Sequence, residues 1–438
     1  MSALSERSTR AVWHPCSQMK QHETLPPLPV ARAQGLWLYD PDGKRYLDGI
    51  SSWWVNLFGH GHPHITGALH RQLDTLAHVM LAGCTHEPVV ALSEKLGALT
   101  GLGHAFYASD GASATEIALK MSAHYWRNHG RFRKTRFIGL RNGYHGETAG
   151  ALSVTDIPLF RDAYGPLLRI SATVPTPDAR KAAPGVSAEE HTRHCVQALK
   201  AYLEVHHAET AALIVEPLVQ CAAGIATYDP EYLREARALC DHYEVHLVAD
   251  EIAVGFGRTG TLFACEQAGP KGIRPDFMCL SKGLTSGTLP LSLVLTTDEV
   301  YAAFYDDRVA RGFLHSHSYT GNPLACRAAL AVLEVFEQRD WMAANRETAA
   351  RLTALCAPLM QHDKVLRTRQ IGMMWGFDIA TDDPAFARRY HMAALQRGLL
   401  LRPIANTLYF MPPYVIDEEE SAWLAEGALA ALNDALAT

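Results

Sequence analysis

His246-Leu-Val-Ala-Asp250-Glu251, then Gly255-Phe-Gly-Arg-Thr-Gly260, then Pro275-Asp-Phe-Met-Cys-Leu-Ser-Lys282: this stretch decides how the chain is read. Two short apolar segments each close on an ionisable residue, Asp250 on the first and Lys282 on the second. Runs of that length between turn signals read as buried strands. An acid and a lysine at two strand ends are what pyridoxal 5'-phosphate (PLP) chemistry needs. The amine carries the aldehyde as a Schiff base, and the carboxylate keeps the pyridine nitrogen protonated so that the ring draws electrons. Partial desolvation at a strand end also lowers a lysine pKa towards that of a working nucleophile and base. Taken singly, each residue has a plainer reading, an exposed lysine and a helix-capping aspartate. Their order and their flanks together point to PLP.

The glycines between them match G-x-G-x-x-G, the fingerprint of nicotinamide-dependent enzymes. That fingerprint wants its glycines directly after the strand, opening a helix. Here Glu251 to Val254 intervene, and Thr-Leu-Phe follows the last glycine. The nicotinamide reading is rejected.

Upstream, Ser109-Asp-Gly-Ala-Ser-Ala-Thr-Glu116 follows the strand-like Ala105–Ala108 and opens a helix. Free N–H groups at such a turn, with the helix dipole, make an anion site suited to a cofactor phosphate. The same residues also fit a simple N-cap on Ser109 or Asp110. Asn142-Gly-Tyr-His-Gly-Glu147 follows a second strand, and Tyr144 suits stacking on a pyridine ring; a surface turn is the alternative. Of the adjacent Trp53 and Trp54, one is expected to line a site, since neighbours rarely face the same way. The clusters His60-Gly-His62-Pro-His64 and His315-Ser-His317 lack carboxylate or cysteine partners at ligand spacing, so no metal is expected.

At 438 residues two or three domains are the prior. A net charge of −6 leaves no basic footprint for nucleic acid. Nine cysteines without a Cys-x-x-Cys pair suggest reduced thiols, and neither a signal peptide nor a ~20-residue apolar span is evident, so a cytoplasmic, non-membrane location is expected. Residues 13–60 are rich in turns and aromatics, with a hairpin turn at Asp40-Pro-Asp-Gly43. Beyond residue 64 helical patterns (65–79, 89–100, 112–128, 231–243) alternate with short strands, and 174–185 reads as a loop. This alternation predicts an α/β fold with a mostly parallel sheet covered on both faces. A long helix over 324–338 leads into a smaller α/β portion. The expected division is 1–63 as an N-terminal segment contributing to the small domain and active site, 64–330 as the large domain and 331–438 as the small domain.

Ile214-Val-Glu-Pro, Asp250 to Gly260 and Leu280-Ser-Lys282-Gly together resemble the class III, fold-type I PLP-dependent aminotransferases, and the likeness spans nearly the whole chain. Trp13-His-Pro, Ser51-Ser-Trp-Trp54, Phe313-Leu-His-Ser-His-Ser-Tyr-Thr-Gly-Asn-Pro323 and Leu401-Arg-Pro with Tyr409-Phe-Met-Pro-Pro-Tyr414 are most similar to the members that serve biotin synthesis. The resemblance implies a large domain built on a seven-stranded sheet and a homodimer with shared active sites. It implies amino transfer from S-adenosylmethionine to 8-amino-7-oxononanoate, giving 7,8-diaminononanoate. It implies Lys282 as the Schiff-base and proton-shuttle residue, Asp250 at the pyridinium nitrogen, and Tyr144 and Ile252 on the two ring faces. The phosphate falls to Gly111 and Ala112, with His317 and Ser318 from the partner subunit. Trp53, Tyr144 and Ser316 line the substrate channel, and Arg402, near Tyr409, takes the distant carboxylate of the keto substrate. Two positions depart from the family: Cys16 stands where a tyrosine is familiar, which opens the identity of the donor, and Ala112 where a serine is common. An ω-amino-acid or diamine transaminase would share every cofactor residue, and an aminomutase would need no second substrate. A non-enzymatic regulator is disfavoured by the intact Asp250 and Lys282.

Overall fold

The computed structural model describes residues 2–437. Seven strands make the central sheet: β1 (His104–Ala108), β2 (Arg136–Leu140), β3 (Ala172–Val174), β4 (Thr210–Val215), β5 (His246–Asp250), β6 (Phe277–Leu280) and β7 (Ser292–Thr296). Across the sheet they lie in the order β1-β7-β6-β5-β4-β2-β3. β7 runs antiparallel to β1 and β6, and every other pairing is parallel. The mostly parallel seven-stranded α/β sheet expected from the sequence is therefore present.

Its central strands are apolar throughout because both faces are covered. Alternate side chains go to opposite sides. Ile214, Val248, Phe277, Cys279 and Val294 join one apolar cluster with Ile117, Met121 and Tyr125 of helix α1 (Gly111–Asn128). Leu213, Val215, Leu247, Met278 and Leu293 join the other, with Leu199 and Leu203 of Ala188–His206 and Tyr232 of Glu231–His242.

The N-terminal hairpin pairs Trp37–Tyr39 with Arg45–Asp48 around the expected turn. Leu399–Leu400 adds to it in parallel, so the start of the chain shares a sheet with its last quarter. Val365–Ile371, Met374–Ile379 and Thr407–Phe410 form a further antiparallel sheet. Several boundaries differ from the sequence reading. The helix expected to reach residue 79 ends at Thr75, with Leu76 extended, because Ala77 turns to accept a hydrogen bond from Asn322 Nδ2 at 3.1 Å. The stretch 174–185 is not all loop: it begins in β3 and contains a 3-10 turn, Ala179–Lys181, anchored by the Arg180–Asp178 ion pair.

His246 opens β5 at the end remote from Asp250. It is buried against Trp126, ring centroids 4.6 Å apart, with Nδ1 2.9 Å from Ser122 Oγ. Burial lowers its pKa to about 4. Below about pH 6.5 the native state then binds fewer protons here than the unfolded chain, so stability present at neutral pH is lost as pH falls towards 4. Unfolding titrations of wild type and His246→Phe between about pH 7 and about pH 4.5 should diverge, the wild type losing roughly 2–3 kcal/mol more. Parallel curves would rule out this titration.

Candidate active site

The carboxyl ends of β1, β2, β4, β5 and β6 lie along one edge of the sheet, where crevices of α/β folds bind ligands. Asp250 closes β5, buried. Its Oδ2 lies 2.7 Å from His145 Nδ1, and its Oδ1 accepts the Ile252 N–H at 3.1 Å. An ionised carboxylate only accepts, so Nδ1 carries the proton. His145 is fixed in turn by its own N–H, which donates to Thr155 Oγ1 at 3.0 Å, while its buried Nε2 has no partner among the described residues. Glu216, at the end of β4, accepts the N–H groups of Tyr144 and Cys221, each at 3.0 Å. Burial raises the Glu216 pKa to about 7, against the pull of His145 and those two N–H groups.

Lys282 follows β6 by two residues and sits in the left-handed region, φ 46°. Its side chain is half-buried and donates no hydrogen bond to any described residue. Nζ lies 4.9 Å from the centroid of the Trp54 ring. Burial lowers its pKa, with Cys221, Asp250 and Glu216 acting in the opposite sense. The amine is thereby neutral at a lower pH than that of a free lysine, as a nucleophile requires.

Trp54 reaches Lys282 through unusual backbone. Ser51, Ser52, Trp53 and Trp54 all have positive φ, 51°, 46°, 71° and 74°. Left-handed backbone costs an L-residue about 1–2 kcal/mol, so such a run persists only where its surroundings impose it. Trp54 is buried and its Nε1–H donates to the Tyr409 hydroxyl at 3.2 Å. Trp53 points outward, 45% exposed, with Arg402 Cζ 5.5 Å from its ring centroid. Arg402 Nη2 donates to the carbonyl of Cys16 at 2.7 Å. Burial and then Glu147 push the Cys16 thiol up, and Arg402 opposes them. Burial, with Glu147 next, likewise raises the Tyr144 phenol, whose O–H donates to Glu147 Oε1 at 3.0 Å.

The turn between β1 and α1 carries the expected N-cap. Asp110 caps the helix, accepting the Ser113 N–H and O–H at 2.9 Å each. The N–H groups of Gly111 and Ala112 remain in the first turn, where a helix has no internal acceptors. A Cβ on Gly111 would come within 3.1 Å of Ile252, and one on Gly146 (φ 115°) would meet the Ala112 Cβ at 2.5 Å. Ile252, Gly111, Ala112 and the Tyr144 turn are thus packed edge to edge.

At this edge Asp250, Ile252, Gly111, Ala112 and the Tyr144 turn are drawn together, and Lys282, Trp54 and Tyr409 form a second chain of contacts, with Arg402 over Trp53 next to it. Ser316, His317 and Ser318 are not brought to it within this chain. His317 Nε2 is 2.8 Å from His315 Nε2, and His315 Nδ1 is 2.7 Å from Lys120 Nζ on the flank of α1. Ser316 and Ser318 are exposed. Two neighbours escaped the sequence reading of roles, His145 and Glu216, and within the pair Trp53-Trp54 the role of each ring was left open. Glu216 carried a usable signal, since it closes an apolar strand just as Asp250 does. Among the described residues no helix is long and apolar enough to cross a membrane. His60 and His64 turn to separate carboxylates, Asp48 and Glu334.

A sheet edge presenting a buried acid, a lysine of lowered pKa and a capped helix start meets the needs of amino-group chemistry on a bound aldehyde cofactor. The chain belongs to the class-III aminotransferase family, whose model matches residues 18–432. It is 44% identical over 431 residues to the adenosylmethionine-8-amino-7-oxononanoate aminotransferase of Helicobacter pylori, covering 97% of this chain and 96% of that one. The crystal structure of the enzyme of the same name from Methanocaldococcus jannaschii superposes with a TM-score of 0.92 at 34% identity, covering 98% of each chain. An amine transaminase from an uncultivated Pseudomonas species, solved in its PLP-bound form, superposes with a TM-score of 0.89 at 32% identity, again over 98% of each.

Proposed function

We propose that this aminotransferase moves an amino group from S-adenosylmethionine to 8-amino-7-oxononanoate, forming 7,8-diaminononanoate, with PLP as the carrier. The full-length likeness to relatives named for that reaction supports it. The observation that carries it is the placing of Arg402 on Trp53 at the mouth of the cleft, with Trp54 and Tyr409 leading from there to Lys282. A long keto acid needs that order: a fixed cation for its distant carboxylate, an apolar wall, then an amine at its reacting carbon.

The residues present fit the cofactor. The Gly111 and Ala112 N–H groups suit its phosphate, Asp250 its ring nitrogen, and Ile252 and Tyr144 its two faces. Bound PLP supplies an electron sink for negative charge at the substrate carbon. Lys282, its pKa lowered by burial, would remove and return the proton at that carbon. Asp250, oriented by His145, holds a proton on the ring nitrogen. Ser316 and Ser318, exposed, and the half-buried His317 between them fit the reading of a homodimer in which they complete the partner's site. The division into 1–63, 64–330 and 331–438 belongs to the same reading, supported by the pairing of the N-terminal hairpin with Leu399–Leu400. So does a cytoplasmic location, supported by nine free thiols.

The mouth gives the first test. Arg402→Ala should raise KM for the keto acid roughly 10- to 100-fold, the ~1.5–3 kcal/mol of a charged hydrogen bond, and change the donor half-reaction much less. Normal use of the keto acid by the variant would sink the assignment. Cys16 favours a second reading, because a short side chain there leaves room for other amines: an ω-amino-acid or diamine transaminase. Mixing the PLP-loaded protein with candidate donors and following the cofactor absorbance separates the two. A wild type that prefers a short ω-amino acid with pyruvate supports the second.

A further inference from the structure

The left-handed run Ser51–Trp54 is held at its start by one buried anion. Asp48, with no exposed surface, closes the hairpin strand Arg45–Asp48. Its Oδ1 accepts the Ser52 N–H at 2.8 Å, and its Oδ2 accepts the Ser52 O–H at 2.7 Å and lies 2.9 Å from His60 Nε2. The run's other anchors are neutral acceptors or a cation: Ser51 O–H donates to the Met411 carbonyl at 2.6 Å, and Arg258 Nη2 points at the Trp54 carbonyl at 3.4 Å. Asp48 alone contacts both the backbone and the side chain of a left-handed residue. The geometry it holds is the one that lets two adjacent tryptophans serve different groups, Trp53 under Arg402 and Trp54 beside Lys282. Right-handed backbone at these positions would swing both rings away from those partners.

We propose that Asp48 is a positioning residue for the acceptor channel, acting through the left-handed turn on Trp53 and Trp54. This rests on the acceptor reading above. Asp48 lies outside the cleft and touches none of its reacting groups, so its effect should fall on acceptor binding and on the tryptophan environment, more than on the chemical step.

The test compares wild type with Asp48→Ala and Asp48→Asn. In cofactor-free protein, Asp48→Ala should keep its far-ultraviolet circular dichroism but lose near-ultraviolet tryptophan signal as the turn relaxes. In PLP-loaded protein, KM for 8-amino-7-oxononanoate should rise about 10-fold with kcat falling less than about 3-fold. Asp48→Asn keeps an acceptor for the Ser52 N–H but removes the charge and obliges the Ser52 hydroxyl and His60 to reverse their donor roles towards the amide, and should raise KM by about 3-fold. A folded Asp48→Ala with wild-type near-ultraviolet signal and KM overturns the proposal, as does lowered thermal stability with KM unchanged. If Asp48→Ala does not fold, a wild-type KM in Asp48→Asn overturns it. A wild type that ignores the keto acid defeats the acceptor reading instead, and the cofactor-free spectra still decide whether Asp48 holds the turn.

Discussion

Lys282→Ala is expected to abolish turnover, a loss on the order of 10⁴-fold or more, because it removes both the carrier amine and the proton-transfer base. The substitution should leave the fold intact. Lys282 already sits at φ 46° with a Cβ, so alanine adds no backbone strain, and the amine gives up no hydrogen bond to any described residue. Its burial beside Trp54 costs the charged form, and removing that charge is structurally mild. Borohydride reduction of the PLP-loaded wild type, followed by peptide mapping, should place the cofactor on Lys282 and find none in the variant. Mapping to another lysine would defeat the assignment.

Asp250→Asn should slow the half-reaction by at least ~10²-fold while the protein still folds and binds PLP. An amide oxygen can still accept the Ile252 N–H. The amide nitrogen, however, would face His145 Nδ1, donor against donor at 2.7 Å, and drive the imidazole to its other tautomer. Both the charge at the ring nitrogen and its orientation by His145 would be lost. Stopped-flow absorbance with the preferred donor measures this directly. A near-wild-type rate would mean that another group protonates the ring.

The two ends of this chemistry were legible in sequence because each closes a run of apolar residues. Burial on both faces erases polar alternation, so a single acid or lysine at the end of such a run stands out. The sheet was legible for the same reason. The supporting residues were not. His145 reaches Asp250 only because β2 and β5 flank β4 on either side, and nothing in Asn142-Gly-Tyr-His tells which of Tyr144 and His145 faces inward. The pair Trp53-Trp54 was legible, but the separate direction of each ring was not, because it follows from four left-handed residues, a conformation that neither helical nor strand periodicity describes. The helix expected to reach residue 79 ran too far because its end is set by Asn322, distant in sequence.

The left-handed turn also bears on how a functional molecule comes into being. Ser51 is tied to the carbonyl of Met411, 360 positions later, and the hairpin beneath it is completed by Leu399–Leu400. On the ribosome the central sheet has all its strands once Thr296 has emerged, whereas the tryptophan turn must wait until Met411 has been translated. Contacts of such long separation form late, after loop-closure entropy has been overcome. A nascent or truncated chain is therefore expected to assemble the Asp250–Lys282 edge long before it can select a substrate. Competence arrives in one late step, when the segment from Leu399 to Met411 docks on the hairpin.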